Sequence, residues 1–110
     1  MQDFKKNRHS IYSLKYHLVV VTKYRNKCIN TDILSYLKEY TAKLIQDRNG
    51  SVIEFNGEED HIHILFEIPP QVELSKFING FKTASSRMVR KNFSEYLKKF
   101  YDYSNEDVSA

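Results

Sequence analysis

The sequence predicts a single α+β domain in which an antiparallel sheet carries two helices on one face. Three observations lead there. With 110 residues, 41% of them hydrophobic and 28% charged, the chain has material for one core and not for two. Three segments alternate apolar with polar residues, and two others repeat apolar residues at helical spacing. The longest aliphatic run, residues 18–21, is far short of the roughly 20 residues that a bilayer-crossing helix needs. Residues 1–8 also lack the apolar centre of a signal peptide, so the expectation is a cytoplasmic protein that binds no membrane. The single cysteine, Cys28, excludes an internal disulfide and a cysteine-built zinc site.

Over residues 10–24 the even positions Tyr12, Leu14, Tyr16, Leu18, Val20 and Tyr24 are apolar, whereas Ser13, Lys15, His17 and Lys23 interrupt the odd ones. That alternation predicts a strand with one face in the core. Asn30 or Thr31 can cap a helix in which Ile33, Leu37, Tyr40 and Leu44 recur at steps of four, three and four, ended by the turn pair Asn49-Gly50. Residues 51–56, with Ile53 and Phe55 in alternation, and residues 61–68 read as a hairpin closed at Asn56-Gly57. Pro69-Pro70 stops the strand, and Leu74, Phe77, Ile78, Phe81, Ser85 and Met88 then form one stripe of a helix running to about residue 96. The chain thus divides into an ordered core of about residues 9–100 and a loose tail, 101–110, which is acidic from Asp102 onward.

The resulting order, β-α-β-β-α, is that of a ferredoxin-like or RRM-like βαββαβ unit whose last strand has no candidate sequence. In that topology the absent strand would border the first, leaving a long apolar edge unpaired. Pairing with a second copy covers it most cheaply, so a homodimer joined through the sheet edge is the expected assembly.

The formal net charge is only +3, but it is unevenly spread. Residues 1–30 carry +6, residues 31–75 carry −6, residues 76–99 carry +6 and the last eleven carry −3. Two basic segments bracketing an acidic middle suit nucleic acid better than a membrane surface, although solvated faces alone also produce such blocks. On the second helix Lys76, Thr83, Arg87, Arg90 and Lys91 lie opposite the apolar stripe and form a basic ridge. The run Lys23-Tyr24-Arg25-Asn26-Lys27 mixes cations with a ring, a combination that can hold phosphates beside a stacked base.

In Asp60-His61-Ile62-His63-Ile64-Leu65-Phe66-Glu67-Ile68, strand alternation puts Ile62, Ile64, Phe66 and Ile68 on one face and His61, His63, Leu65 and Glu67 on the other. Two imidazoles two residues apart on one face can converge on a single ion, and imidazole suits Mn, Ni or Zn better than Mg. An uncovered sheet face also carries histidines with no ligand at all.

The string Phe55-Asn56-Gly57-Glu58-Glu59-Asp60-His61-Ile62-His63-Ile64-Leu65-Phe66, followed by Pro69-Pro70, resembles the single-tyrosine HUH transposases of small bacterial and archaeal insertion sequences. The resemblance extends to Tyr12-Ser13-Leu14-Lys15-Tyr16-His17-Leu18 with Lys23-Tyr24-Arg25, and to Leu74-Ser75-Lys76-Phe77-Ile78-Asn79 with Lys82, Ser85, Ser86 and Arg87, covering roughly residues 9–100. It implies a homodimer that binds single-stranded DNA hairpins, with His61 and His63 as ligands of a divalent ion, Mg or Mn, that polarises the scissile phosphate. Lys15, Lys23, Arg25, Lys27, Lys82, Arg87 and Arg90 are the cations expected to meet the DNA.

The family continues with a further strand and a helix bearing Tyr-x-x-x-Gln, whose tyrosine is the nucleophile and whose glutamine helps hold the metal. Here glutamine stands only at 2, 46 and 71, never four residues after a tyrosine, so the expectation is a C-terminally truncated member lacking its nucleophile and holding its ion weakly. Tyr101 and Tyr103 are the replacements the tail offers, and Glu67 or Asp60 could lend the ion an oxygen. Two functions follow: metal-dependent cleavage and rejoining of hairpin-bearing single-stranded DNA, or non-catalytic binding of DNA or RNA hairpins by a dimeric relative. A base-reading RNA-recognition sheet ranks behind both, because its aromatic signatures are not evident.

Overall fold

The central strand organises everything else in the computed structural model, which describes residues 13–101. The elements are β1 (Leu14–Val21), α1 (Thr31–Gln46), β2 (Ser51–Gly57), β3 (His61–Ile68), α2 (Leu74–Asn92) and a single-turn α3 (Ser94–Leu97), with a 3₁₀ turn at Lys23–Arg25. The sheet order is β1-β3-β2, antiparallel throughout, so β3 is paired on both sides. The expected α+β architecture is what forms. The start of the predicted first strand, Tyr12 included, and the tail from Asp102, including Tyr103, lie outside the described residues.

The alternation in β3 is realised completely. Ile62, Ile64, Phe66 and Ile68 are buried at 3% exposure or less, each contributing about 1.5–3 kcal/mol by leaving water. Against them pack Ile33, Leu37 and Ile45 of α1, Phe77 and Phe81 of α2, and Leu97 of α3. From β1, Tyr16, Leu18 and Val20 join this core, opposite Phe66, Ile64 and Ile62 in register. Both helices therefore cover one face of the sheet, and among the described residues no element covers the other.

Several boundaries differ from the sequence reading. β1 ends at Val21, and Tyr24, expected on the apolar face, stands 74% exposed on the turn beyond it. Leu14 shares the parity of the core residues but is 46% exposed at the strand's outer end. Ile53 sits at a register irregularity between Val52 and Glu54, and it is exposed where alternation put it in the core. Asn56-Gly57 is not the hairpin turn: β2 runs through Gly57, and the chain reverses over residues 58–60.

On α1 the buried stripe is Ile33, Leu37, Thr41 and Ile45, at steps of four, with Tyr40 and Leu44 half-buried beside it. Asn30 is the cap, its side-chain oxygen accepting from Ile33 N at 2.8 Å. At the far end Asn49, not Gly50, takes the left-handed conformation (φ 65°). Gly50 is required for a different reason: a Cβ there would collide with the Glu67 carbonyl oxygen. The second helix stops at Asn92, because Phe93 (φ −129°, ψ 31°) leaves helical geometry before α3 resumes.

Candidate metal centre on the open face of the sheet

Antiparallel pairing dictates which residues share the uncovered face with the histidines. Val21 lies opposite His61, Val19 opposite His63, His17 opposite Leu65 and Lys15 opposite Glu67. His61 and His63 are half-buried neighbours, ring centroids 4.8 Å apart and edge to face. A third imidazole joins them: His17 Nε2 stands 3.3 Å from His63 Nδ1, and the rings are 5.4 Å apart. The sequence reading counted His17 only as an interruption of the apolar alternation. The signal was present, since both strands carry their apolar residues at even positions, and burying those on one face leaves the odd positions of β1 and β3 together on the other.

Each histidine of the pair has one nitrogen committed. Asp60 Oδ1 lies 2.7 Å from His61 Nδ1, and a carboxylate only accepts, so Nδ1–H donates, which in the neutral ring leaves the lone pair on Nε2. His63 Nδ1 is engaged with His17 Nε2, in a direction set by the two tautomers; with His63 as the donor its ring matches that of His61, and its Nε2 is outside this bond. In the neutral Nδ1–H tautomer, two such oriented imidazoles are a chemically fitting donor pair for a divalent cation through Nε2. No group of three or more His, Cys, Asp or Glu side chains among the described residues is disposed to hold a metal ion.

The oxygen donors anticipated for the ion go elsewhere. Asp60 spends Oδ1 on His61 and Oδ2 on Arg25, whose Nε and Nη2 donate at 3.2 and 3.1 Å. The hydrogen bond from His61, reinforced by Arg25, holds the Asp60 carboxyl below the usual carboxylate range. Glu67 faces the same side as His63 but four residues along the strand, roughly 13 Å away.

Arg25 reaches Asp60 through an unusual turn. Tyr24 (φ 59°) and Arg25 (φ 53°) both adopt left-handed backbone, a conformation costing of order 1–3 kcal/mol for each non-glycine residue. Thr22 holds the turn in place: its N–H donates to the Asp60 carbonyl at 2.9 Å, and its hydroxyl donates to the Asn26 carbonyl at 2.7 Å. Ile29 N–H donates to the Glu59 carbonyl at 2.9 Å, so the loop after β1 is strapped to the hairpin end that carries His61.

The predicted DNA-contacting cations fall into two groups. Lys15 is exposed on the histidine face, and Lys23, Arg25 and Lys27 follow the end of β1. Lys23 Nζ lies 5.5 Å from the Tyr24 ring centroid. Lys82 and Arg87 are exposed and Arg90 half-buried on α2, whose Phe77, Phe81 and Ser85 face the core, so this ridge belongs to the helix-covered side.

Tyr101, assigned by its sequence to a loose tail and offered as a nucleophile, is docked. Its hydroxyl donates to the Lys23 carbonyl at 3.0 Å and lies 3.8 Å from Cys28 Sγ, beside a cavity of about 100 Å³ lined also by Val20, Ile62 and Phe81. Those last three are core-side residues, so the phenol is on the opposite side of the sheet from the imidazoles. Burial pushes its pKa up to about 12, away from the phenolate that attack on phosphorus requires.

The fold has a solved counterpart. A candidate transposase from Deinococcus radiodurans R1 superposes with a TM-score of 0.71 at 26% identity, covering 76% of this chain and 65% of that one. The family described as "Transposase IS200 like" matches residues 10–105, and the chain belongs to that family. The transposase for insertion sequence element IS200 of Salmonella typhimurium is 32% identical over 100 residues, 91% of this chain and 66% of that protein. The ISDra2 transposase TnpA of Deinococcus radiodurans is 27% identical over 99 residues, 90% of this chain and 71% of that protein. The chain thus spans just under two thirds of the Salmonella relative's length.

Proposed function

We propose that this chain supplies the metal-binding histidines and the nucleic-acid surface of a transposase acting on hairpin-bearing single-stranded DNA. The observation that carries this reading is the pair His61 and His63 on the open face, each with Nδ1 engaged and Nε2 directed away from that bond. His61 and His63 would hold the divalent ion, which when bound supplies charge neutralisation at a scissile phosphate. Lys15 on the same face, with Lys23 and Lys27 beyond β1, can bind the flanking phosphates, while Val19 and Val21 keep the surroundings of the pair apolar. A homodimer through the outer edge of β1 belongs to the same reading: that edge has no partner strand among the described residues, and Leu14, Val19 and Val21 along it are 37–48% exposed.

The docking of Tyr101 favours a second reading, in which the chain grips a hairpin without cutting it. One experiment separates the two. A 3′-labelled single-stranded hairpin is incubated with the protein and Mn²⁺ or Mg²⁺, and both retention on the protein and a denaturation-resistant adduct are measured. An adduct that disappears in His61→Ala and His63→Ala supports metal-dependent cleavage. Salt-sensitive retention with no adduct in either metal supports the binding module, and no retention of the hairpin over a duplex control overturns both.

A further inference from the structure

Asp60, Arg25 and the strained turn between them do nothing for the core, since Arg25 is exposed and Asp60 lies at the sheet's rim. Yet the contacts there are numerous and converge. Arg25 Nε and Nη2 both donate to Asp60 Oδ2 (3.2 and 3.1 Å), while the other oxygen of the same carboxylate accepts from His61 Nδ1 (2.7 Å). Two successive left-handed residues, Tyr24 and Arg25, bring the guanidinium to that spot, and Thr22 ties the turn to the Asp60 backbone. Strain of this kind persists only where its surroundings over-determine it, and it gathers at functional sites.

We infer that Arg25 and Asp60 are positioning residues for His61: the guanidinium fixes the Asp60 carboxylate, and the carboxylate fixes the His61 ring in the Nδ1–H tautomer with Nε2 free for a cation. The inference rests on the two-histidine reading of the site. It also gives Arg25 a different role from the one its sequence suggests. A cation 64% exposed in a basic run reads as a phosphate contact, whereas here the two donors of its fork are committed within the protein. A carboxylate holding a histidine by its non-ligating nitrogen raises that ligand's basicity and removes its freedom to rotate, and losing such a partner commonly lowers metal affinity about 10–100-fold.

The test is made on the DNA-free protein with three variants, Arg25→Gln, Asp60→Asn and His63→Ala, each first shown to fold by circular dichroism. Mn²⁺ binding is followed by electron paramagnetic resonance, and long-range proton–nitrogen NMR spectra read the imidazole tautomers without metal. Arg25→Gln is the sharper variant, because Coulomb's law alone predicts that removing a positive charge beside a cation site tightens binding. The positioning role predicts the reverse, a loss of about tenfold, at the low end of the range for such partners. Asp60→Asn should lose more and should show His61 shifted out of the Nδ1–H tautomer in the metal-free spectrum. An Arg25→Gln protein that binds Mn²⁺ as well as wild type or better, with His61 still in the wild-type tautomer, overturns the inference and returns Arg25 to phosphate binding. If wild type binds Mn²⁺ no better than His63→Ala, the two-histidine reading itself fails. The tautomer measurement still decides the Arg25–Asp60–His61 coupling in that case, since it needs no metal.

Discussion

The two faces of β3 are one residue apart in sequence and belong to different problems. Ile62, Ile64, Phe66 and Ile68 are sealed beneath two helices, while His61, His63, Leu65 and Glu67, interleaved with them, remain half-buried on a face that no described element covers. The covered face is where the free energy of folding is collected, because apolar area removed from water scales with burial. The open face is where titratable side chains gather, since only there can they keep a solvated or ligand-facing nitrogen without a desolvation penalty. A central strand paired on both sides keeps its backbone rigid whichever face is altered, so the two faces should be separable by mutation.

Phe66→Ala should produce the largest effect. The ring is fully buried and lies 5.8 Å from Tyr16 and 5.9 Å from Phe77, so the truncation should cost about 3–5 kcal/mol in urea unfolding. That is a large share of the stability such a small domain has. His63→Ala, three residues away on the opposite face, should change stability by less than about 1 kcal/mol while removing Mn²⁺ binding. If His63→Ala unfolds the protein, or Phe66→Ala leaves it as stable as wild type, the division of labour between the faces is wrong.

A second test sharpens the contrast at the level of nucleic acid. The α2 ridge lies on the covered side and the histidines on the open side, so Arg87→Ala with Arg90→Ala should flatten the dependence of log affinity on log salt by about one unit per lost phosphate contact. Mn²⁺ affinity should not move. Salt slopes identical to wild type would remove the ridge from the binding surface.

The smallest effect concerns Tyr101, on the covered side. Burial holds its phenol at about 12, above the ordinary value near 10. A folded-state pKa above the unfolded one means that folding favours the neutral phenol. The stabilisation is therefore complete below pH 10 and is lost as pH rises from 10 to about 12. In an ultraviolet titration, one of the eight tyrosines should ionise late, and Tyr101→Phe should remove that late component at a cost of about 0.5–1.5 kcal/mol from the lost hydrogen bond. No late component in wild type would mean that the hydroxyl is not held at the Lys23 carbonyl.

Much of this was legible in the chain. Strict alternation from His61 to Ile68 determined which side chains enter the core and which do not, because a strand's side-chain period is two and one face had to be buried. The Asn30 cap, the helix stripes and the family-bearing histidine string were equally local and equally readable. Other features were decided only by tertiary structure. His17 meets His63 across 46 residues of sequence, and Arg25 meets Asp60 across 35, through a turn whose left-handed residues carry no glycine to announce them. Tyr101 looked like tail and became part of the wall around Cys28. Periodicity reports how a segment lies on its neighbours, whereas these contacts depend on which strand pairs with which and on what a loop can reach once the sheet exists.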